Sequence, residues 1–283
     1  MPNLVRYLIN DNGQPFDSSE LQIISADLDR LEDDKRLAYR NENAKEIAQH
    51  SSSKLLIVSG PGTGKSTLFK QRISYWLSLD SSASILALSF VRKLIADLHN
   101  DIQQDNHLSD EQKEKIDVHT LHKYARSVTE QNHGSSEVRF KPHFRIITDF
   151  WLDVIWQDVL ILAEQKDKGQ STYKKFKEQL HNLNFDESVE WKIIKDTYFT
   201  LSKFYNAIGF ADLILHAQKA LSENPSIVKH KFFIVDEYQD FNIAEENFIK
   251  QLTGDGSGIL MVGDDDQILY ERLKSGKAEL IRA

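Results

Sequence analysis

Residues 55–73 read LLIVSGPGTGKSTLFKQRI, and no other stretch restricts this chain as much. The run LLIV has no polar position, as expected of a strand buried on both faces of a parallel sheet. Parallel strands need crossover connections, usually helices, and the residues after the glycines carry apolar side chains at helical spacing. The turn between them has its own chemistry. Backbone N–H groups of a glycine-rich loop surround phosphate oxygens, and the helix N-terminus adds its positive dipole end. A lysine closing such a loop reaches the β- and γ-phosphates, and the hydroxyl after it binds Mg²⁺. Here Gly60, Pro61, Gly62, Thr63 and Gly64 form the loop, Lys65 is the cation, Ser66 the metal-binding hydroxyl, and Thr67 the last expected nucleotide-binding residue of the stretch. Ser59 stands where the strict pattern has glycine.

A phosphate cradle needs a carboxylate to help hold Mg²⁺ and a group to activate the attacking water. FFIVDEYQD, residues 232–240, offers both at the end of a second apolar strand. Asp236 is the expected metal ligand and Glu237 the expected base. In an open parallel sheet, ligands sit outside the carboxyl ends of the strands, which puts this pair near the loop. GILMVGDDDQILY, residues 258–270, repeats the arrangement. Gln267 is placed to hydrogen-bond the γ-phosphate, whereas Asp264, Asp265 and Asp266 read as a solvated strand-end loop.

The rest of the chain fits an α/β plan. Residues 1–50 read as a short strand (LVRYLI) followed by a charged helical segment. Residues 84–90, SILALSF, form a further buried strand whose helix is VRKLIADLHNDI. The expected division is a nucleotide-binding domain over 51–100 and 206–283, with a mainly helical insertion over 101–205. Within the insertion, Lys166, Lys168, Lys174, Lys175 and Lys177 read as a mobile basic loop, and Trp151, Trp156 and Trp191 as core. A formal charge of −8 excludes a uniformly basic nucleic-acid binder but not a basic groove. Without cysteine there are no disulfides or thiolate metal sites. No apolar run reaches the roughly 18 residues of a membrane span, and the N-terminus lacks a signal-peptide pattern. A cytoplasmic protein without a membrane partner is the expectation. His119 and His122 lie three apart, but no third ligand stands at a recognisable spacing.

As a set, GPGTGKST, DEYQD and VGDDDQILY resemble the first RecA-like domain of superfamily 1 helicases of the UvrD/Rep type. ILALSFVRKLIADLHNDI is similar to the family's T-F-T-N-K block, DVHTLHKYA to its T-F-H segment, and GFADLILHA to the helix before its acidic strand. The blocks occur in family order from about residue 54 to 270, and the insertion falls where the family carries its accessory subdomain. The resemblance implies a RecA-like parallel sheet with helices on both faces, and ATP with Mg²⁺ as ligands. It also implies a single-stranded nucleic acid, DNA before RNA, running over the sheet's far face. By the same resemblance Lys65 and Ser66 bind phosphate and metal, Asp236 holds the metal and Glu237 is the catalytic carboxylate. Gln239 and Gln267 couple nucleotide state to nucleic acid. Ser89, Phe90, Arg92, Lys93, Thr120 and His122 contact the strand.

The departures shape the functional expectation. Ala44 stands where the family's adenine-reading glutamine is expected, and no stacking aromatic follows the third motif in YERLKSGKAELIRA. In the family a second RecA-like domain supplies arginines to the γ-phosphate, a contribution of about 10³–10⁵ in rate. The chain stops at Ala283 before any such domain. The expectation is therefore a piece of a longer helicase or translocase, or a chain completed by a partner or second copy, with weak turnover alone. The alternative is a nucleotide-gated interaction module that moves no strand.

Overall fold

A computed structural model describes residues 33–59, 64–90, 92–132, 143–166, 169, 171–254 and 256–263. The first loop glycines and Pro61 and Thr63 (residues 60–63), the acidic run 264–266, Gln267 and the segment 1–32 lie outside the described residues. The described chain divides into two compact units.

The first unit takes in residues up to 120, then 230–240 and 255 onward. Its elements are α1 (Asp33–Ala48), β1 (Lys54–Val58), α2 (Lys65–Leu79), β2 (Ile85–Ser89), α3 (Arg92–Gln104), α4 (Asp110–Lys113), β3 (Ile116–Thr120), β6 (Phe232–Val235) and β7 (Gly258–Gly263). The five strands are all parallel, in the order β1-β7-β6-β2-β3. Side chains alternate across a pleated sheet, and one face carries Ile85, Ala87, Ile116, Val118, Ile234, Leu260 and Val262. These pack with Leu68, Phe69, Ile73 and Trp76 of α2 and with Leu98 and Ile102 of α3. Leu86, Leu88, Phe233, Val235 and Ile259 alternate with that set and are also buried. The sheet is therefore covered on both faces, as the all-apolar strands require. β1 is less enclosed: Leu55 and Ile57 are buried, whereas Leu56 and Val58 are half-buried, because β1 stands at one end of the strand order.

The segment 101–205, expected to be mainly helical, also contains β3. The segment IDVHT is a strand, in register with all of β2 from Ile85↔Ile116 to Ser89↔Thr120. Only Ile116 and Val118 are buried in it, so its signal is a two-position alternation inside a charged neighbourhood.

Arg72 anchors the approach to β1. It is almost fully buried in α2 and donates to the carbonyls of Ala48, His50 and Ser52 at 2.9, 2.7 and 2.8 Å. Its guanidinium also lies 4.8 Å from the Trp76 ring. These bonds satisfy carbonyls that neither α1 nor β1 engages, and burial lowers the Arg72 pKa to about 10.

The second unit holds residues 121–229 and 241–254. It contains α5 (Leu121–Gln131), β4 (Arg145–Ile147), α6 (Asp149–Leu162), α7 (Ser171–Asn182), α8 (Val189–Tyr205), β5 (Ala207–Gly209), α9 (Phe210–Glu223) and α10 (Ile243–Thr253). β4 and β5 form a short parallel pair. Asn242 starts α10 with a capping box, its side chain accepting from the Glu245 amide while Glu245 accepts from the Asn242 amide. Aromatic packing builds the core: Trp156 stacks on Phe176 at 5.2 Å, and Phe176 meets Tyr198 edge-on at 4.9 Å. Trp156 is thus core and Trp191 half-buried against it, but Trp151 is 59% exposed on α6. α6 carries apolar residues on more than one face, so periodicity could not say which face is inside. Lys174, Lys175 and Lys177 are helical, on α7, rather than part of a loop. No helix among the described residues is long and apolar enough to cross a membrane.

Candidate active site

The site lies within the first unit, where the C-terminal ends of β1, β7 and β6 meet the start of α2. Parallel pairing brings all of these ends to one edge, although β7 stands between the strands that carry Ser59 and Asp236. Ser59 is buried, and its amide donates to the Gly263 carbonyl at 2.7 Å, extending the β1–β7 ladder one residue past Val58. A serine in place of the pattern's glycine is therefore accommodated. Gly64 caps α2 with φ 93°, a left-handed conformation in which a side chain is strained. That turn sets Lys65 at the first position of the helix, with half-buried Ser66 beside it and Thr67 exposed.

Lys65 reaches across to the acidic pair. Its Nζ donates to Glu237 Oε1 at 2.9 Å, and the two side chains are only 11% and 22% exposed. Glu237 Oε2 accepts from Gln239 Nε2 at 2.8 Å. Both carboxylate oxygens are thus held, one by a cation and one by an amide. Gln239 has room to do this because residue 263 is glycine: a Cβ there would lie 2.8 Å from Gln239 Oε1. Glu237 itself has φ 50°. Left-handed backbone at a non-glycine residue costs about 1–2 kcal/mol, and such strain gathers at functional positions.

Asp236, one residue earlier, is 1% exposed. Its amide donates to Leu88 O at 2.9 Å, and its Oδ2 accepts from Ser89 Oγ at 3.2 Å. Among the described residues, Oδ1 is buried without a hydrogen-bond partner. Burial, then the neighbouring Glu237 charge, push this carboxyl up to about 6, against the pull of Lys65 and Ser89. A buried acceptor with no donor is costly unless something positive completes it. Mg²⁺ suits this set. It takes hard oxygen ligands, typically one or two from protein, and leaves the remainder to water and phosphate. Asp236 Oδ1 and the Ser66 hydroxyl are such oxygens. Among the described residues no group of three or more His, Cys, Asp or Glu side chains gathers as a metal cage.

The residues expected at a nucleic-acid strand divide. Ser89 and Thr120 end β2 and β3 side by side in register. Ser89 is buried against Asp236, Thr120 and Phe90 are half-buried, and Arg92 and Lys93 are exposed in the first turn of α3. His122 belongs to the second unit, where it lies 3.6 Å from Glu245 and edge-on to Phe210 at 5.6 Å. Burial, then the nearby His181 charge, lowers its pKa. Sequence reading missed the Ser89–Asp236 bond, which joins positions 147 apart in sequence, and the Arg72 anchor. For the first, the sequence shows two all-apolar strands each followed by polar residues, but not that they are neighbours.

The sequence matches the UvrD/REP helicase N-terminal domain over residues 40–281. It is similar to DNA helicase II of Salmonella typhimurium, 27% identical over 81% of this chain and 34% of that protein. It is also similar to DNA helicase II of Rickettsia typhi, 25% identical over 86% of this chain and 39% of that one. The ATP-dependent DNA helicase Rep of Buchnera aphidicola is 26% identical over 81% of this chain and 36% of its own length. The chain spans about a third of the length of the relatives it matches.

Proposed function

Since the chain belongs to the UvrD/REP helicase N-terminal domain family, we propose that it is the ATP-binding and hydrolysing part of a superfamily 1 DNA helicase or translocase. The observation that carries this reading is the Lys65–Glu237 pair beside buried Asp236, whose Oδ1 has no donor among the described residues. Three groups of opposite duty stand together: a cation for phosphate, a carboxylate for a metal and a carboxylate for a proton.

The chain's own groups suggest an order of events. While Lys65 holds Oε1 and Gln239 holds Oε2, the Lys65 ammonium stands on the oxygen that is to take the proton. ATP phosphates draw the Lys65 ammonium away, since a multiply charged anion competes well with one carboxylate. Oε1 is then available to take a proton from the attacking water, while Gln239 keeps the carboxylate oriented. Mg²⁺, when bound, neutralises charge on the phosphate oxygens and helps place them in line. A second RecA-like domain or a partner protein would contribute arginines to the γ-phosphate. The domain plan we propose is a RecA-like body interrupted by a mainly helical accessory segment, with β3 assigned to the body. Phe90, Arg92, Lys93 and Thr120, at the ends of β2 and β3, are the proposed contacts to single-stranded DNA.

ATP turnover with and without single-stranded DNA, at low and moderate salt, tests the proposal. DNA stimulation that fades with salt supports it, because phosphate contacts release counterions. Turnover indifferent to DNA, in a preparation supplied with the second RecA-like half, would contradict it.

A further inference from the structure

β2 and β6 are neighbours, and the last residue of β2 makes a side-chain bond to the residue after β6 that the proposed reaction does not otherwise use. Leu88 pairs with Val235, so the next residues along, Ser89 at the end of β2 and Asp236 just past β6, stand side by side. Ser89 is 1% exposed and donates its hydroxyl to Asp236 Oδ2. The Asp236 amide is tied to the same strand through Leu88 O. Two bonds from β2 therefore fix both the backbone and one carboxylate oxygen of Asp236. The other oxygen, Oδ1, is buried and has no hydrogen-bond partner among the described residues.

An aspartate side chain pivots about two torsions, and a hydroxyl on one oxygen removes most of that freedom. Groups in this relation to a ligating carboxylate orient it, and their loss typically costs about 10- to 100-fold in metal affinity. We propose that Ser89 is a positioning residue for the Mg²⁺ site: its hydroxyl holds Asp236 so that Oδ1 remains the metal-facing oxygen. The inference rests on the nucleotide-site reading above. Its location sets Ser89 apart from Arg92 and Lys93, which follow it in the chain but are exposed. Ser89 serves the nucleotide side of the strand end, and those residues serve the solvent side.

The test is ATP affinity of the 283-residue chain, measured by calorimetry in excess Mg²⁺ and in EDTA, for wild type, Ser89→Ala and Ser89→Thr. The quantity read is the factor by which Mg²⁺ tightens ATP. Ser89→Ala is expected to lose about tenfold of that factor, the lower end of the usual effect of such partners, while its affinity in EDTA stays at the wild-type value. Ser89→Thr keeps a hydroxyl and is expected to keep the factor. A full Mg²⁺ factor in Ser89→Ala would overturn the inference and leave the nucleotide reading standing. So would an equal weakening in both media, which marks a merely structural role. Failure of the wild type to bind ATP in either medium would overturn the nucleotide reading, and the inference with it.

Discussion

Asp236 in the first unit and Asp212 in the second are both 1% exposed, and burial is the leading cause that pushes each carboxyl up, to about 6 and about 7. Their surroundings differ. Asp236 stands at a strand end beside the Lys65–Glu237 pair, next to a residue in left-handed backbone. Asp212 sits in the first turn of α9, with His216 Nε2 4.0 Å away and no space between it and Gly209, where a Cβ would meet its Oδ1 at 2.7 Å. Burial also raises the Tyr198 pKa and lowers that of His216 to about 3. A displaced titration thus marks burial in both places and a reaction site in neither. What separates the two is the ion-paired Lys65 and the left-handed Glu237 beside Asp236, where Asp212 has His216 and Gly209 beside it.

Four substitutions probe that contrast, from the largest expected effect to the smallest. Glu237→Gln is expected to lower DNA-stimulated ATP turnover by about 10²–10⁴ while ATP binding is retained. Near-normal turnover would remove the reactive character assigned to the first unit. Asp212→Asn tests the second unit through pH. An acid whose folded pKa is raised gives stability that is fully present below its unfolded value and is lost as pH rises through the folded one. Wild type should therefore lose this contribution between about pH 4 and pH 7, and the variant should not. Urea unfolding across that interval should show Asp212→Asn gaining roughly 2–4 kcal/mol on wild type. His216 works in the opposite sense, losing stability as pH falls from its ordinary value towards about 3, so comparison with wild type is needed to isolate the aspartate.

Asp236→Asn has the same sign and a smaller size, roughly 1–3 kcal/mol, over about pH 4 to 6. The two asparagine variants part company over metal. Mg²⁺ should no longer tighten ATP in Asp236→Asn and should do so normally in Asp212→Asn. Equal Mg²⁺ responses would erase the distinction drawn between the two acids. Gly263→Ala is the mildest. Its Cβ displaces the Gln239 amide from Glu237, and turnover should fall by about tenfold, short of the hundredfold that a 1 Å misplacement can reach.

The first unit was readable wherever a segment carried its own pattern. LLIV, ILALS, FFIV and GILMVG are apolar at nearly every position, and each became a parallel strand within a residue or two of its expected limits. The helix from Lys65 was legible as far as Leu79 because GKST opens it and the apolar spacing continues. β3 was not, since Ile116 and Val118 alternate with polar residues in a charged stretch too short to establish a period. At the site, the residue types and the roles proposed for them came from chemistry and family order, but their relations did not. That Lys65 rests on Glu237 across 172 positions, or that Ser89 serves Asp236, depends on strand order, which one sequence does not print. The exposed face of α6 was hidden for a related reason: Trp151 and Trp156 look alike until a neighbouring helix chooses between them.

The most direct test of the central claim is equilibrium binding of ATP, in Mg²⁺, to the chain and to its Lys65→Ala variant. The account predicts saturable binding that the substitution weakens about 10- to 100-fold, the scale of a lost charged hydrogen bond. Equal affinity in the two proteins, or no binding by the wild type, would contradict it.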